Sequence, residues 1–347
     1  MTAIGAPPTL HLLIGSAQSI AVPAWPPFAA EHYRTGAPMR LAAIWYREAT
    51  PAAAWLRGAR RSVRWQLGWL QPAGVRIGED DWMFAEQSLE RDATALAAAA
   101  PKRRAFLRAL RERCERLGVR LLAAPAPDKA TVYPQHLPAP RPGSLYPTIL
   151  AELAESGIVA VDLRAALAAS ATADFEVYYR RDTHWNPDGL QVAAAAIDRR
   201  LQQLGWLAEA DATEHFDPLT RSADERLPDL VVMLGLPRDG YIERSLRHPK
   251  WQIRLTRGGE VVSREQPRAS IAVCGDSFAF KGLFHVLAAR THLLIDSVGA
   301  VPAVGPFQGL IQTLNRIESG DLAARVVVFE FVERSYRTDW RVPPTLR

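Results

Sequence analysis

The sequence predicts an α/β protein in which a mostly parallel sheet carries helices on both faces, three layers in all. From about residue 76 onward, short apolar runs alternate with stretches of helical period, the pattern of strands followed by crossover helices. The chain of 347 residues is 48% hydrophobic and 23% charged, with a mean hydropathy of −0.09, enough to bury one large core or two smaller ones.

Residues 1–75 are rich in Pro, Ala, Trp and Arg and have little periodicity, so they are read as an N-terminal extension, with a single domain over 76–347. One piece of the extension is periodic. In "AAWLRGARRSVRWQLGWL", Arg57, Arg60, Arg61 and Arg64 share one helical face, with Trp55, Leu56, Val63 and Leu70 broadly opposite. Such a basic helix suits a membrane surface or an acidic polymer, and equally a helix whose arginines are simply solvated.

Beyond the extension, residues 88–118 read as a helix interrupted near Pro101 and closed by Gly118. A buried strand follows in "VRLLAAPAP", then a helix in "LYPTILAELAESG" and a strand running into a helix in "IVAVDLRAAL". "PDGLQVAAAAIDRRLQQLGW" is a long helix, with Asn186 as N-cap and Pro187 at its first position. Residues 207–268 are polar and irregular, with a hairpin around "WQIRLTRGGEVVSRE". The chain closes with strand "ASIAVCG", helix "KGLFHVLAAR", strand "THLLIDSVG", helix "FQGLIQTLNRIESG" and strand "ARVVVFEFVE".

Several classes drop out. The net charge of +5 favours anionic partners without choosing among them. Two cysteines, Cys114 and Cys274, exclude a disulfide scaffold and a cysteine zinc site, and Cys274 reads as a core residue. No stretch reaches the roughly 18–20 apolar residues of a membrane span. The N-terminus lacks Lys or Arg before its apolar part, which makes it a poor secretory signal.

Two polar motifs are expected at strand ends, where ligands bind in open α/β sheets. In "VCGDSFAF" an apolar strand runs into Gly275-Asp276-Ser277 and then a helix, which suits an exposed nucleophile with backbone N–H groups beside an oxyanion. In "YYRRDTHWNPDG", His184 is the one histidine of eight with an acid fixed two residues before it. In an extended segment Asp182 and His184 project to the same side, so the acid can orient the ring and leave the other nitrogen for Ser277. No H-x-x-x-H or similar partner is present, so no metal is expected, and this chemistry calls for no cofactor.

The "GDSF" block resembles the nucleophile block of SGNH (GDSL-like) hydrolases. Its pairing with an upstream "DTHWNPDG" is similar to the alginate O-acetyltransferase family. "GEDDWMF" (78–84), "APDKATVYPQHLP" (126–138) and "VVVFEFVERS" (326–335, with Glu330, Glu333 and Arg334) resemble further blocks of that family, over about residues 76–340. The resemblance implies an SGNH-hydrolase-like three-layer α/β/α fold and a triad of Ser277 nucleophile, His184 base and Asp182 orienter. It also implies a periplasmic location, a polysaccharide acceptor and a membrane-bound acetyl-donor protein; the arginine surplus, the arginine stripe and Lys129 suggest an anionic or membrane-proximal acceptor, and no nucleic acid is expected.

Lys129, Tyr133 and Arg334 are candidates for contacting the polymer, although a snorkelling lysine and a packed tyrosine fit the first two equally. Gln308 and Asn315 are candidate second oxyanion donors. The leading expectation is an O-acetyltransferase working through an acyl-serine on an exopolysaccharide. The same triad with water as acceptor makes a carbohydrate acetylesterase, and the fold without chemistry makes a polysaccharide-binding or assembly protein.

Overall fold

A computed structural model describes residues 51–66, 72–90, 92–137, 143–207, 214–224, 227–236, 241–247, 249–297 and 306–337. The N-terminal stretch read as a poor signal lies outside these residues, as do the side chains of Trp55, Leu56 and Arg57 and the whole of Leu70.

Helix α1 (Pro51–Gln66) leads into an antiparallel ribbon of β1 (Val75–Ile77) and β2 (Met83–Ala85). Asp80 and Asp81 both take positive φ, 51° and 65°, in the turn closed by Trp82 N–H donating to the Glu79 carbonyl at 3.0 Å. That mirror-image turn matches the strand twist, and aspartate tolerates it. Then follow α2 (Ala93–Arg116), β3 (Arg120–Ala126), the single turn α3 (Lys129–Val132), α4 (Tyr146–Glu155), β4 (Val159–Ala160), α5 (Leu163–Ser170) and α6 (Pro187–Gln203). The irregular region holds β5 (Thr220–Asp224), α7 (Asp229–Met233), α8 (Tyr241–Leu246), β6 (Lys250–Arg254), β7 (Thr256–Arg257) and β8 (Glu260–Val261). The chain ends in β9 (Ile271–Cys274), α9 (Ser277–Phe280), α10 (Leu283–Thr291), β10 (Ile295–Asp296), α11 (Pro306–Glu318) and β11 (Val326–Val332).

Five strands form the central sheet in the order β10-β9-β11-β3-β4, and every neighbouring pair is parallel. Alternate residues serve opposite faces, as the pleat requires. Val326 and Val328 join Leu122 and Val273 in the core under α5, α6 and α10. Val327, Phe329 and Phe331 join Leu121, Ala123 and Cys274 in the core under α2, α4 and α11. Each fully buried Val, Leu or Phe stabilises by about 1.5–3 kcal/mol, so the two cores hold the sheet rigid. Cys274 is fully buried, as its apolar run implied, and burial pushes its thiol pKa up.

Two local expectations are corrected and a third is narrowed. Helix α2 runs unbroken through Pro101, starting at Asp92, whose carboxylate accepts from Ala95 N–H at 2.9 Å. Packing of Phe106, Leu107 and Leu110 offsets the one backbone hydrogen bond that proline removes. In the irregular region the expected hairpin is present but short, β7 and β8 joined by the Gly258-Gly259 turn, while β6 pairs with β5 instead. In α1 the expected apolar side is incomplete: Val63 is 53% exposed, and it is Trp65 that packs against the cluster of Val75, Met83 and Leu230.

Candidate active site

Strands β3, β9 and β11 bring their carboxyl ends together, and β9 delivers the serine. Gly275 leaves the strand where a Cβ would meet the Glu330 carbonyl oxygen at 2.5 Å and its Oε2 at 2.6 Å, so only glycine fits. Asp276 then caps α9, accepting from Phe278 N–H at 2.9 Å through one oxygen and from Val332 N–H at 2.8 Å through the other. Glu330 Oε2 accepts from the N–H groups of Asp276 and Ala279, both at 3.1 Å. Burial, then the neighbouring Asp276 charge, raises the Glu330 pKa well above the usual carboxylate range, against the pull of the two N–H groups it accepts from. With those N–H groups taken, the Ser277 N–H has no acceptor among the described residues. The expected helix after the serine is split: α9 is a single turn, and α10 begins after Gly282.

The histidine arrives from the loop before α6. Asn186 caps that helix, accepting from Asp188 N–H at 3.0 Å and Gly189 N–H at 2.9 Å, with Pro187 at the first position. A Cβ on Gly189 would lie 1.9 Å from the Val177 carbonyl oxygen, so this glycine lets the helix start against the loop. Asp182–Trp185 is a tight bend and not the extended segment expected from the spacing. The reason is local: Asp182 Oδ1 accepts from the backbone N–H of His184 at 3.1 Å, folding the acid back over the ring.

The three residues come together nonetheless. Asp182 Oδ1 is 2.6 Å from His184 Nδ1, and His184 Nε2 is 2.7 Å from Ser277 Oγ. Phe278 sits against the His184 ring with centroids 4.7 Å apart, and Trp185 meets the same phenyl edge-on at 5.0 Å. Burial opposes ionisation of Asp182, but the His184 and Lys250 contacts outweigh it and hold its pKa well below the carboxylate range.

Two further residues, which nothing in the sequence pointed to, complete the surroundings. Asp182 Oδ2 accepts from the Lys250 ammonium in a short ion pair and from Asp229 N–H at 3.1 Å. The Asp229 carboxylate accepts from Thr183 N–H at 2.8 Å and from the Thr183 hydroxyl, and lies 3.5 Å from His184 Nδ1. Asp182, His184 and Asp229 thus gather potential metal-ligand atoms within 4.8 Å of one another. Their oxygens are already occupied by an ammonium, N–H groups and a hydroxyl, which makes the cluster a hydrogen-bonded brace.

Lys129 is placed differently from the expectation of a polymer contact. It is 4% exposed, and its ammonium donates to the carbonyls of Tyr179, Arg180 and Asp182 at 3.0, 2.7 and 2.9 Å. It lies 5.6 Å from the Trp82 ring centre and 5.4 Å from that of Phe84. Burial lowers its pKa to about 7, against the pull of Asp229 and Asp182. Tyr133 is also buried: its ring lies 4.2 Å from that of Trp82 and its hydroxyl accepts from Val177 N–H at 2.8 Å. Residues 78–84 and 126–137 therefore clasp the loop that carries Asp182 and His184.

Arg334 donates to Asp128 at 2.6 Å and lies 5.6 Å from the Phe278 ring centre. Asn315 accepts from Arg113 at 2.6 Å, on the face of the sheet covered by α2 and α11, away from the serine turn. Gln308 is exposed near the start of α11.

A parallel α/β/α sandwich with a serine turn at the carboxyl end of a central strand defines an SGNH-hydrolase-like domain. The particular family follows from comparison. A family model described as ALGX, "SGNH hydrolase-like domain, acetyltransferase AlgX", matches residues 75–333, and the chain belongs to this family. It is 29% identical to the probable alginate O-acetylase AlgJ of Pseudomonas syringae pv. tomato over 280 residues, 75% of this chain and 68% of that protein. It is 27% identical to the protein of the same name from Pseudomonas aeruginosa over 282 residues, 75% of this chain and 70% of that one. Among solved structures, the O-acetyltransferase domain of Pseudomonas putida AlgJ superposes with a TM-score of 0.63 at 26% identity, covering 77% of this chain and 93% of that domain. Pseudomonas aeruginosa AlgX shares the fold, with a TM-score of 0.52 at 18% identity over 86% of this chain and 70% of that one.

Proposed function

We propose that this protein transfers acetyl groups onto an alginate-like polysaccharide through an acetyl ester on Ser277. The observation that carries the proposal is the unbroken line of hydrogen bonds from Asp182 through His184 to Ser277. The relatives' names supply the acceptor class.

In the first half-reaction Ser277 Oγ attacks the donor's acetyl carbon while its proton passes to His184 Nε2. The donor's ester C–O bond breaks, and the imidazolium returns that proton to the leaving oxygen. In the second half a sugar hydroxyl gives its proton to Nε2 and attacks the acetyl carbon. The Ser277 ester bond breaks and Oγ takes the proton back. Asp182 holds the ring with Nδ1 protonated and stabilises the imidazolium of each half. The Ser277 N–H, free of an acceptor among the described residues, is the donor for the tetrahedral oxyanion.

Lys129 and Tyr133 brace the loop in this scheme, and Arg334 positions Asp128 and Phe278 beside it. Residues 76–347 form the acetyltransferase domain, and 1–75 are an extension whose Trp65 packs on it. A periplasmic site of action and a membrane-bound acetyl-donor protein belong to the same reading. Among the described residues, no helix is long and apolar enough to cross a membrane.

The test is acetyl release from a small ester with and without a uronate oligosaccharide. The proposal expects the oligosaccharide to become acetylated and to speed turnover. Release of free acetate alone at an unchanged rate would make the protein an esterase instead.

A further inference from the structure

A small pocket opens beside His184, and the proposed chemistry leaves most of its wall unused. His184, Tyr179, Pro187, Lys250, Trp251 and Lys281 are among the residues that line it. Lys250 is committed to Asp182. Lys281, four residues after the serine, forms no ion pair among the described residues. It stands at the pocket rim, where partial burial and then the neighbouring Lys250 charge lower its pKa. Two ammonium groups crowd one wall, and the nearby carboxylates are already bound, Asp182 to His184 and Lys250, and Asp229 to Thr183. Such a wall is completed by an incoming anion.

The other wall is apolar. Trp251 is 43% exposed, although its backbone is held by an N–H bond to the Tyr179 hydroxyl at 2.8 Å. An exposed indole on a fixed backbone offers a flat platform at little entropic cost, and sugar rings present an apolar C–H face to such platforms.

We infer that this pocket is an acceptor subsite for a hexuronate residue, with Lys281 binding the sugar carboxylate and Trp251 supporting the ring, so that a neighbouring hydroxyl meets His184 Nε2. The subsite rests on the acetyltransferase reading for its purpose but not for its test. A carboxylate on one edge and an apolar face on the other is the combination that a uronate has and a neutral hexose lacks.

Equilibrium binding tests it independently of turnover. In a Ser277→Ala background, calorimetry would compare a hexuronate oligomer with the same oligomer after reduction of its carboxyl groups. The parent should bind the charged oligomer at least about tenfold more tightly, the effect of one lost charge-assisted hydrogen bond. Lys281→Gln should weaken the charged oligomer to the level of the reduced one, Lys281→Arg should largely retain it, and Trp251→Ala should weaken both oligomers. The subsite is overturned if Lys281→Gln binds the charged oligomer as tightly as the parent, or if the parent binds the two oligomers equally or neither. Failure of the wild-type protein to acetylate the oligomer would count against the transferase reading alone, because the affinities do not depend on it.

Discussion

Ser277 and His184 stand 93 positions apart in the chain, yet Ser277 Oγ lies 2.7 Å from His184 Nε2. One arrives at the end of a central strand, the other on a loop clasped by two distant segments. If the contact is catalytic, replacing either residue by Ala should lower acetyl transfer by about 10⁴-fold or more. The double variant should be hardly worse than either single one, because the pair acts as a unit. Initial rates with an activated acetyl ester would decide this, and additive losses would contradict it.

Asp182→Asn should keep the fold and lower kcat by about 10⁴-fold, since an amide no longer fixes the ring tautomer. It should also change stability in acid. Asp182 has a depressed pKa, so its contribution is full above its ordinary value of about 3.9 and is lost as pH falls through the lower folded value. Urea denaturation against pH should show that acid limb in wild type and a flatter one in the variant.

Part of this site was legible in the sequence because it is locally encoded. A glycine-acid-serine turn after an apolar run, and an acid two residues before a histidine, keep their meaning whatever the rest of the fold does. Lys250 and Asp229 were not legible: they lie 68 and 47 positions from Asp182, in irregular stretches with no periodicity to mark them. Lys129 and Tyr133 stood out by type, but burial depends on how distant segments pack, and only the fold shows Trp82 closing over both. The parallel sheet was readable from its apolar runs, whereas the β1–β2 ribbon, three residues per strand, was too short to register.

Lys129 should tie activity to pH. Its folded pKa of about 7 lies below the ordinary 10.5, so above neutrality the folded chain releases a proton that the unfolded chain keeps. The contribution of this group to stability therefore rises with pH between about 7 and 10.5, while the ammonium's third hydrogen bond to the loop is lost as pH rises through about 7. Transfer should decline above about pH 7, and Lys129→Arg, which stays charged, should weaken that decline. Lys129→Met should cost about 2–4 kcal/mol by leaving three buried carbonyls unpaired, read from urea unfolding.

Gly275→Ala should be among the most damaging small changes. The new methyl would push against Glu330 at the turn that presents the serine, costing about 1–3 kcal/mol and displacing Ser277 from His184. Thermal unfolding together with ester hydrolysis would measure both effects, and a stable, active variant would contradict the packing described.

The basic face of α1 should add to the binding of an anionic polymer. Arg60, Arg61 and Arg64 are exposed, and Arg61 also donates to the Gly235 carbonyl at 3.0 Å. Exposed charges are screened over about 8 Å at physiological ionic strength, so binding of an anionic polymer should weaken as salt rises. Replacing Arg57, Arg60, Arg61 and Arg64 with Gln should reproduce that loss at low salt, as read by equilibrium binding. Affinity indifferent to both would return the helix to a solvated face.

The most direct test of the acyl-serine account is to trap the intermediate. Wild-type protein would be incubated with an activated acetyl ester without acceptor, quenched in acid, digested and mapped by mass spectrometry. The account predicts a single acetyl group on the peptide containing Ser277, discharged when a uronate oligomer is added before the quench and recovered on that oligomer. An acetyl group on another residue, or transfer at the wild-type rate by Ser277→Ala, would contradict it.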